Sequence, residues 1–307
     1  MEDIKRQLTH SSKATKQDRY GKAIAFFCTF LIGLLVVSIL YLVASRGLAT
    51  FFKDHVSVWD FLTKQNWNPS QVDKNGSPLV GALPMIVGSF SVTIFSAVLA
   101  TPFAIAMALF MTEIEPRRGT KFLQPVIELL VGIPSVVYGF VGLTIVVPVV
   151  RTVFGGTGFG ILSGTLVLFV MVLPTITSMY VDSLRAVPRF YREASLALGA
   201  TRWQTIYKVV LRASIPGLLT AIIFGMARAF GEALAVQMVI GNASLLPHNL
   251  ISPASTLTSV LTTGMENTVM GTLPNNALWS LALILLLMSL CFNLIVRYIG
   301  KKGRMAK

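Results

Sequence analysis

Two charged side chains, Arg228 and Glu232, lie four residues apart inside an apolar run at about residues 214–240. On an uninterrupted helix this spacing puts both side chains on one face. A cation near the middle of a membrane span costs about 2.5 to 3.5 kcal/mol, so Arg228 needs a partner or an aqueous path. Its guanidinium also presents a fork of donors that suits oxyanions. The pair is therefore either an internal ion pair that fixes helix packing or an element that binds a passing oxyanion, which Glu232 would orient or release.

Glu128 is a third candidate, because it lies at the beginning of another long apolar run, at about residues 123–150. The surrounding sequence, IELLVGIPS, would put its carboxylate at the inner mouth of a pathway. A long side chain can also extend toward polar surroundings, so a structural role is equally compatible with the pattern. In that interpretation the carboxylate reaches toward the preceding basic residues, Arg117, Arg118 and Lys121.

The elements that must position these residues are apolar helices. The chain of 307 residues is 54% hydrophobic and 13% charged, with a mean hydropathy of +0.71, which is outside the usual range of soluble proteins. Each long apolar run reaches the roughly 20 residues that a helix needs to cross a bilayer. Lipid offers no partner to free backbone groups, so the runs are predicted to be helices. Six spans are expected, at residues 23–44, about 83–112, about 123–150, about 161–181, about 214–240 and about 277–297.

The distribution of basic residues predicts the topology. Most of the 26 Lys and Arg lie near the two termini and in the second-to-third and fourth-to-fifth connections. By the positive-inside bias, these regions and both termini are expected in the cytoplasm, with the chain in a plasma membrane. The same bias accounts for the net charge of +13, so no nucleic-acid partner is expected. The expected division is a cytoplasmic tail at 1–22, the first span at 23–44, an external loop at 45–82, a core at 83–297 that includes a cytoplasmic hairpin at 183–213 and an external loop at 241–276, and a tail at 298–307.

No metal or cofactor site is expected in this chain. Cys28 and Cys291 lie in separate apolar spans and are interpreted as packing residues, and no Cys/His cluster has metal-ligand spacing. The glycine-rich segment GGTGFG at 155–160 lacks the Gly-Lys-Ser/Thr of a phosphate-binding loop and is interpreted as a flexible turn. No nucleotide site is recognised, so any energy from ATP would have to come from another subunit, and the chain itself is not expected to be an enzyme.

The charged stretch YREASLALGATRWQTIYKVVLR at 191–212 is typical of two helices joined by a glycine turn. Pro188 suits the first helical position, and Gly199 supplies a left-handed stop. Thr201 and Gln204 fit a capping box that starts a second helix. An alternative is a helix that lies on the membrane surface with its basic residues on lipid phosphates. The bend is rich in small residues that would let a partner approach closely, namely Ala194, Ser195, Ala197, Gly199 and Ala200.

The same stretch resembles the EAA loop of ABC-importer permeases, the element that docks on the ATPase. That motif has Glu-Ala-Ala, three residues, Gly, nine residues and an Ile-x-Leu-Pro tail. Here Glu193, Ala194 and Ser195 precede Gly199 at the same spacing, while Arg212 replaces the terminal Pro. The resemblance implies that the residues coupling this chain to a cytoplasmic ATPase are Glu193, Ala194, Ser195, Gly199 and Trp203.

Three further segments resemble the phosphate-specific ABC-importer permeases of the PstC type: ELLVGIPSVVYGF at 128–140, FGMARAFGEALAV at 224–236 and IGN at 240–242. The resemblance implies an all-α integral membrane protein with the type I, MetI-like permease architecture, surrounded by membrane lipid. It implies that Arg228, Glu232 and Glu128 line half of a phosphate pathway. The implied partners are a second, related permease chain in a heterodimer, a cytoplasmic ATPase dimer that binds ATP and magnesium, and an extracytoplasmic phosphate-binding protein.

Other functions remain open on the sequence. A guanidinium serves sulfate or molybdate as well as phosphate, and a homodimer is compatible with the same patterns. An ion-coupled secondary carrier would need membrane carboxylates and repeats, whereas only Glu128 and Glu232 are available and no convincing repeat is visible. A non-transporting membrane scaffold could use the hairpin to recruit any cytoplasmic partner.

Overall fold

The computed structural model describes residues 13–73 and 76–305, so the outermost parts of the two predicted tails, at 1–12 and 306–307, lie outside the described residues. Six helices in this part are long and apolar enough to cross a membrane, which confirms the predicted number of spans. These helices cover Gln17–Phe52, Leu83–Ile114, Ser135–Phe154, Ile161–Arg185, Arg202–Phe230 and Leu273–Ile295.

The fold is almost entirely helical, with one small two-stranded sheet. In chain order the elements are α1 (Lys13–Phe52), α2 (Val58–Thr63), β1 (Trp67–Val72), β2 (Pro78–Val80), α3 (Leu83–Leu109), α4 (Pro116–Gly132), α5 (Ser135–Val141), α6 (Val147–Phe154), α7 (Ile161–Arg185), α8 (Arg189–Ala197), α9 (Arg202–Thr205), α10 (Leu211–Phe230), α11 (Leu234–Val239), α12 (Leu257–Met265) and α13 (Leu273–Met305). Single π-helical turns at Phe110–Ile114, Gly142–Val146 and Ile206–Val210 follow α3, α5 and α9.

Helix α1 is longer than the predicted span at 23–44 and packs on the rest of the chain only near its C-terminal end. There Gly47 approaches α13 so closely that a Cβ would lie 2.8 Å from the Trp279 carbonyl oxygen. Ser280 donates a hydrogen bond of 2.6 Å to the Gly47 carbonyl oxygen. Cys28 and Cys291 are both exposed on the chain, so their interpretation as packing residues was wrong for the isolated chain. Both side chains are free to contact lipid or another subunit.

The third predicted span, 123–150, is two separate helices. Helix α4 ends at Gly132, and Ile133 and Pro134 adopt extended conformations before α5 begins at Ser135. A proline disfavours the helical conformation of the residue before it, which explains the break. The membrane-spanning helix is therefore 135–154, and Glu128 lies in the amphipathic helix that precedes it.

The fifth predicted span, 214–240, is also interrupted. The helix that begins at Arg202 ends at Phe230, and α11 begins only at Leu234. Backbone groups freed by the break find local partners, since Thr258 donates to the Glu232 carbonyl oxygen at 3.0 Å. Such replacement bonds make a broken helix tolerable inside a membrane protein.

The predicted external loops at 45–82 and 241–276 contain ordered elements. The first includes α2 and an antiparallel pairing of β1 with β2, in which Trp67 lies opposite Val80. The second includes α12, whose Thr256 side chain caps the helix start. At 155–160 the chain makes a turn with positive φ at four glycines, which agrees with the predicted turn. The turn and the loop at 241–256 meet at the Ile161 end of α7, where the Leu162 amide donates to the Leu250 carbonyl oxygen.

The core lies where α3, α7 and α10 pack together. Small, fully buried residues on α3, among them Ala100 and Ala104, allow α7 to approach closely. Gly225 of α10 does the same on the other side, because a Cβ there would lie 2.6 Å from Ile176 of α7. Helix α7 is thus the most buried of the six long helices, and its side chains meet those of α10 in the interior.

Candidate functional site

Arg228 lies on α10 beside the middle of α7. Its Nη1 donates a hydrogen bond of 2.6 Å to the Thr175 Oγ1. The close contact at Gly225, one turn earlier, brings the two helices near enough for this bond. Arg228 nevertheless remains exposed on the surface of the single chain. A cation at this depth needs a polar environment, so the exposed side of Arg228 must be met by water or by another subunit.

Glu232 does not pair with Arg228, contrary to the prediction of one shared helix face. Helix α10 ends at Phe230, so Glu232 lies beyond the end of the helix. Its side chain therefore does not share a helix face with Arg228. Its Oε1 accepts a hydrogen bond of 3.3 Å from the Ala235 amide at the start of α11. Within the described residues no ion pair joins Arg228 and Glu232. The carboxylate therefore stabilises the interruption of the helix, and the simple Arg–Glu ion pair is excluded.

Hydroxyl groups surround Glu232 in the interior. A cavity of about 10 Å³, which is the space of a single water molecule, lies between α3, α7, α11 and α12. Ser89 accepts a hydrogen bond of 2.9 Å from the Leu257 amide on its edge. The described chain is therefore closed to a larger solute at this level. The polar lining residues are Ser89, Thr93, Glu232, Thr256 and Thr258.

Glu128 lies on the exposed face of α4. Its Oε1 accepts a hydrogen bond of 2.9 Å from the Gln124 side chain, one helical turn earlier. It forms no ion pair with the basic residues that precede it in the described part of the chain. Arg228 and Glu232 are thus near each other in the chain without a bond between them, and Glu128 forms its hydrogen bond within its own helix.

The hairpin predicted at 191–212 is present, although Pro188 is the N-cap of α8 and not its first helical residue. Helix α8 ends near Leu198, and Gly199 follows with φ of +83°. Thr201 caps the next helix and forms the predicted capping box with Gln204, with bonds of 3.2 and 3.0 Å. A further hydrogen bond of 2.9 Å joins the Ser195 and Thr205 hydroxyls and closes the two arms on each other.

An ion pair that the sequence did not reveal attaches the hairpin to the bundle. Arg192 Nε lies 3.1 and 3.2 Å from the two carboxylate oxygens of Glu113, at the end of the long helix that contains α3. Arg192 also donates to the carbonyl oxygens of Val187 and Leu184, at 2.8 and 3.1 Å. Arg202, on the second arm, donates to the Glu113 carbonyl oxygen at 3.2 Å. Both arms of the hairpin are therefore held by the turn at 110–114.

The hairpin presents an uncovered apolar surface. Leu198 at the bend is 89% exposed, and Phe190 and Trp203 on the two arms are 71% and 64% exposed. No residue of α8 is buried. Among the predicted coupling residues, Glu193, Gly199 and Trp203 are exposed, whereas Ala194 and Ser195 are half-buried. An apolar patch of this kind on a polar segment is typical of a surface that binds another protein.

Comparison with known sequences matches residues 100–305 to the family described as binding-protein-dependent transport system inner membrane component. A probable ABC transporter permease protein, YqgH of Bacillus subtilis, is 52% identical over 92% of this chain and 91% of its own length. Phosphate transport system permease proteins PstC are also similar. The protein from Mesorhizobium japonicum is 30% identical over 90% of this chain and 86% of its own length. The protein from Pasteurella multocida is 34% identical over 80% of this chain and 82% of its own length.

Solved structures share the fold at low sequence identity. The inward-facing MetNI methionine ABC transporter matches with a TM-score of 0.52 at 20% identity, over 70% of this chain and 96% of the matched chain. A bacterial alginate ABC transporter, in complex with an alginate-bound periplasmic protein, matches with a TM-score of 0.52 at 17% identity, over 91% of this chain and 98% of the matched chain. These matches confirm the predicted six-span architecture of the MetI type.

Proposed function

Because this chain belongs to the family of binding-protein-dependent transport system inner membrane components, it is a multi-pass permease subunit of an ABC importer, and we propose that its solute is inorganic phosphate. The PstC relatives, at 30% and 34% identity, support phosphate, while YqgH carries a name that specifies no solute. The chain forms half of the pathway. Sulfate and molybdate are the competing solutes, because the same cation would bind them.

The position of Arg228 is the observation that supports the assignment of the solute pathway. The guanidinium is exposed beside the middle of α7, and its one hydrogen-bond partner within the described residues is the neutral Thr175 hydroxyl. Its remaining donors are available to an oxyanion, and a guanidinium binds such an ion with two parallel hydrogen bonds. Glu232 lies next to the closed cavity and holds the interrupted helix in place. We therefore assign Arg228 to solute contact and Glu232 to positioning of the break.

Transport then follows from movement of the hairpin. An ATPase dimer, which binds ATP and magnesium, docks on the exposed surface at Leu198 and Trp203 and displaces the hairpin as it closes. The Glu113–Arg192 ion pair passes this displacement to α3. Helix α3 packs on α7, and α7 contacts Arg228, so the two sites are linked by packed helices. Glu128, on an exposed face near the break at Pro134, is assigned to the inner mouth.

The proposed assembly contains further subunits. A second, distinct permease chain faces Arg228, and an extracytoplasmic phosphate-binding protein delivers the ion to the end of the bundle opposite the hairpin. Helix α12 and the β1–β2 sheet are the ordered elements available to it there. Both termini are proposed to lie in the cytoplasm, together with the hairpin, in agreement with the positive-inside bias.

The decisive experiment is uptake of radiolabelled phosphate by proteoliposomes that contain the complete importer and the binding protein. Uptake should require ATP inside the vesicle and should be unaffected by an excess of unlabelled sulfate or molybdate. Saturable uptake of sulfate that phosphate does not inhibit would overturn the phosphate assignment. Uptake that persists without the ATPase but follows an ion gradient would overturn the coupling to ATP.

A further inference from the structure

A basic groove lies beside the hairpin, at the end of the bundle where α3 and α7 end. Its volume is about 590 Å³, and its side walls carry Arg117, Lys121 and Arg185. Met111, Thr112 and Thr120 form part of the remaining lining. None of these residues belongs to the interior cluster around Glu232 or to the exposed apolar surface of the hairpin. The groove is thus a separate feature.

The three cations in the groove have no acidic partner within the described residues. The ion pairs in the described part of the chain are Lys22–Asp18, Lys64–Asp60 and Arg192–Glu113, and none of them includes a cation of the groove. Glu113, next to the lining residue Thr112, is therefore already neutralised by the hairpin. Thr112 and Thr120 donate their hydroxyl hydrogens to backbone carbonyl oxygens, at 2.9 and 3.3 Å. The groove therefore offers positive charge and side-chain N–H donors to an anion from outside.

The groove lies at the ends of two of the six membrane-spanning helices, where the membrane surface is expected. Two membrane-spanning helices, Leu83–Ile114 and Ile161–Arg185, end at its walls. The third wall is the first turns of α4, an amphipathic helix that begins directly after the first of these spans. Phe122 and Leu129 of α4 are 73% and 70% exposed and lie seven residues apart, on one side of the helix. A helix with an uncovered apolar stripe and basic residues on another side is typical of the membrane surface.

We propose that this groove binds the phosphate-bearing headgroup of an anionic phospholipid. Basic pockets between membrane-spanning helices bind such headgroups, and each Lys or Arg near the surface strengthens the binding about 5-fold. The groove has the volume of a site for a drug-sized molecule, which suits a headgroup with its glycerol better than a single oxyanion. A water-borne phosphate ion would also make no use of the adjacent apolar stripe on α4.

A bound headgroup would contact the turn that holds the hairpin. Met111 and Thr112 line the groove, and the next residue, Glu113, holds Arg192 and Arg202. This turn is π-helical, a geometry that is rare and often found at functional positions. Lipid in the groove would therefore restrict the movement of the element that attaches the hairpin to α3.

The proposal is tested by native mass spectrometry of the complete, detergent-purified importer titrated with phosphatidylglycerol or phosphatidylcholine. Phosphatidylglycerol should bind more tightly. The single variant Lys121→Gln should weaken it about 5-fold, and the triple variant Arg117→Gln/Lys121→Gln/Arg185→Gln on the order of 100-fold. The matched control is Arg118→Gln, because Arg118 is exposed on the same turn of α4 and does not line the groove. It should leave binding at this site within about 2-fold of the unmodified importer.

Three results would overturn the proposal. Equal weakening by Arg118→Gln and Lys121→Gln would mean a diffuse attraction to the whole basic surface. Equal binding of the two lipids would mean that no anion is recognised. Displacement of phosphatidylglycerol by millimolar inorganic phosphate would mean a site for a free oxyanion. If the triple variant fails to assemble, the proposal is judged by comparing lipid binding to Lys121→Gln with lipid binding to Arg118→Gln. The result is independent of which solute the importer carries, since solute uptake is not measured.

Discussion

At the scale of single residues, substitution of Arg228 tests whether this side chain contacts the solute. Replacing Arg228 by Gln removes the charge but keeps a polar side chain beside Thr175. Hydrogen bonds to charged groups contribute about 1.5 to 3 kcal/mol, so phosphate uptake is expected to fall at least about 10-fold. Arg228→Lys should retain part of the activity, because it keeps the charge without the planar fork. The measurement is radiolabelled uptake, with assembly of the importer checked by co-purification of its subunits.

The partner of Arg228 offers a test with a matched control. Thr175→Val removes the hydroxyl that accepts from Arg228 and should reduce uptake, because the guanidinium loses its positioning contact. Thr177→Val changes another buried hydroxyl on the same helix, one that donates only to the Leu173 carbonyl oxygen. Its effect on uptake should be small. Similar losses in both variants, or loss of assembly in Arg228→Gln, would assign Arg228 to packing instead.

The sequence identified Arg228 as a residue that needs a partner but not the partner itself. The inference was possible because burying the charge of an arginine in a membrane span costs free energy, whichever helices surround it. Thr175 lies 53 residues earlier in the chain, and no local pattern connects the two. The predicted shared face of Arg228 and Glu232 was wrong, because a spacing of four residues implies a shared face only while the helix continues, and α10 ends at Phe230.

At the scale of elements, the bend of the hairpin depends on one glycine. Gly199 has φ of +83°, and a Cβ added there would meet no atom within 4 Å. The cost of a side chain is therefore conformational, about 1–2 kcal/mol for most residues and less for Asn. Gly199→Val should uncouple ATP hydrolysis from uptake, whereas Gly199→Asn should remain coupled. The ratio of phosphate released from ATP to phosphate imported measures the coupling, and equal ratios in the two variants would contradict this role of the bend.

The attachment of the hairpin is a second element-level prediction. Glu113 is only 9% exposed and holds Arg192, so Glu113→Ala leaves a half-buried cation without its partner. Breaking such a pair typically costs about 3–5 kcal/mol at fully buried sites, and a smaller loss of thermal stability, together with loss of coupling, is expected here. The exposed pair Lys64–Asp60 provides the control, because Asp60→Asn should change stability by less than about 1 kcal/mol. Equal melting temperatures for both variants would show that the Glu113–Arg192 pair does not hold the hairpin.

The bend of the hairpin could be predicted from the sequence, whereas its attachment to the bundle could not. The capping box at Thr201 and the glycine bend at Gly199 are local, so the bend and the start of the second helix were predictable to the residue. The Glu113–Arg192 pair joins residues 79 positions apart and depends on how α3 and α8 are placed by the bundle. The division of the third apolar run had a local signal in Pro134, but hydropathy alone cannot distinguish a kinked span from two helices that change direction.

At the scale of the whole molecule, six spans were predictable because apolar length alone defines them, and the distribution of charges adds a direction. Cysteine labelling tests that direction in a variant in which Cys28 and Cys291 are replaced by Ser. Thr157, in the exposed glycine turn, and Arg118, at the hairpin end, lie at opposite ends of the bundle. A membrane-impermeant maleimide should label Thr157→Cys in right-side-out vesicles and Arg118→Cys in inverted vesicles. The reverse pattern would place the hairpin outside the cell and exclude docking of an ATPase on it.

The exposed side of Arg228 bears on how the subunits of the importer are arranged. Its guanidinium is exposed on the surface of the isolated chain, and a cation at this depth is not stable against lipid. We therefore expect the proposed second permease chain to face it, and the resemblance to PstC-type permeases implies that this chain is a distinct one. Two differently tagged copies of this chain, expressed with the rest of the importer, should not co-purify, whereas the second permease should co-purify with each. Co-purification of both tags would mean a homodimer, in which two Arg228 side chains would face one pathway from opposite sides.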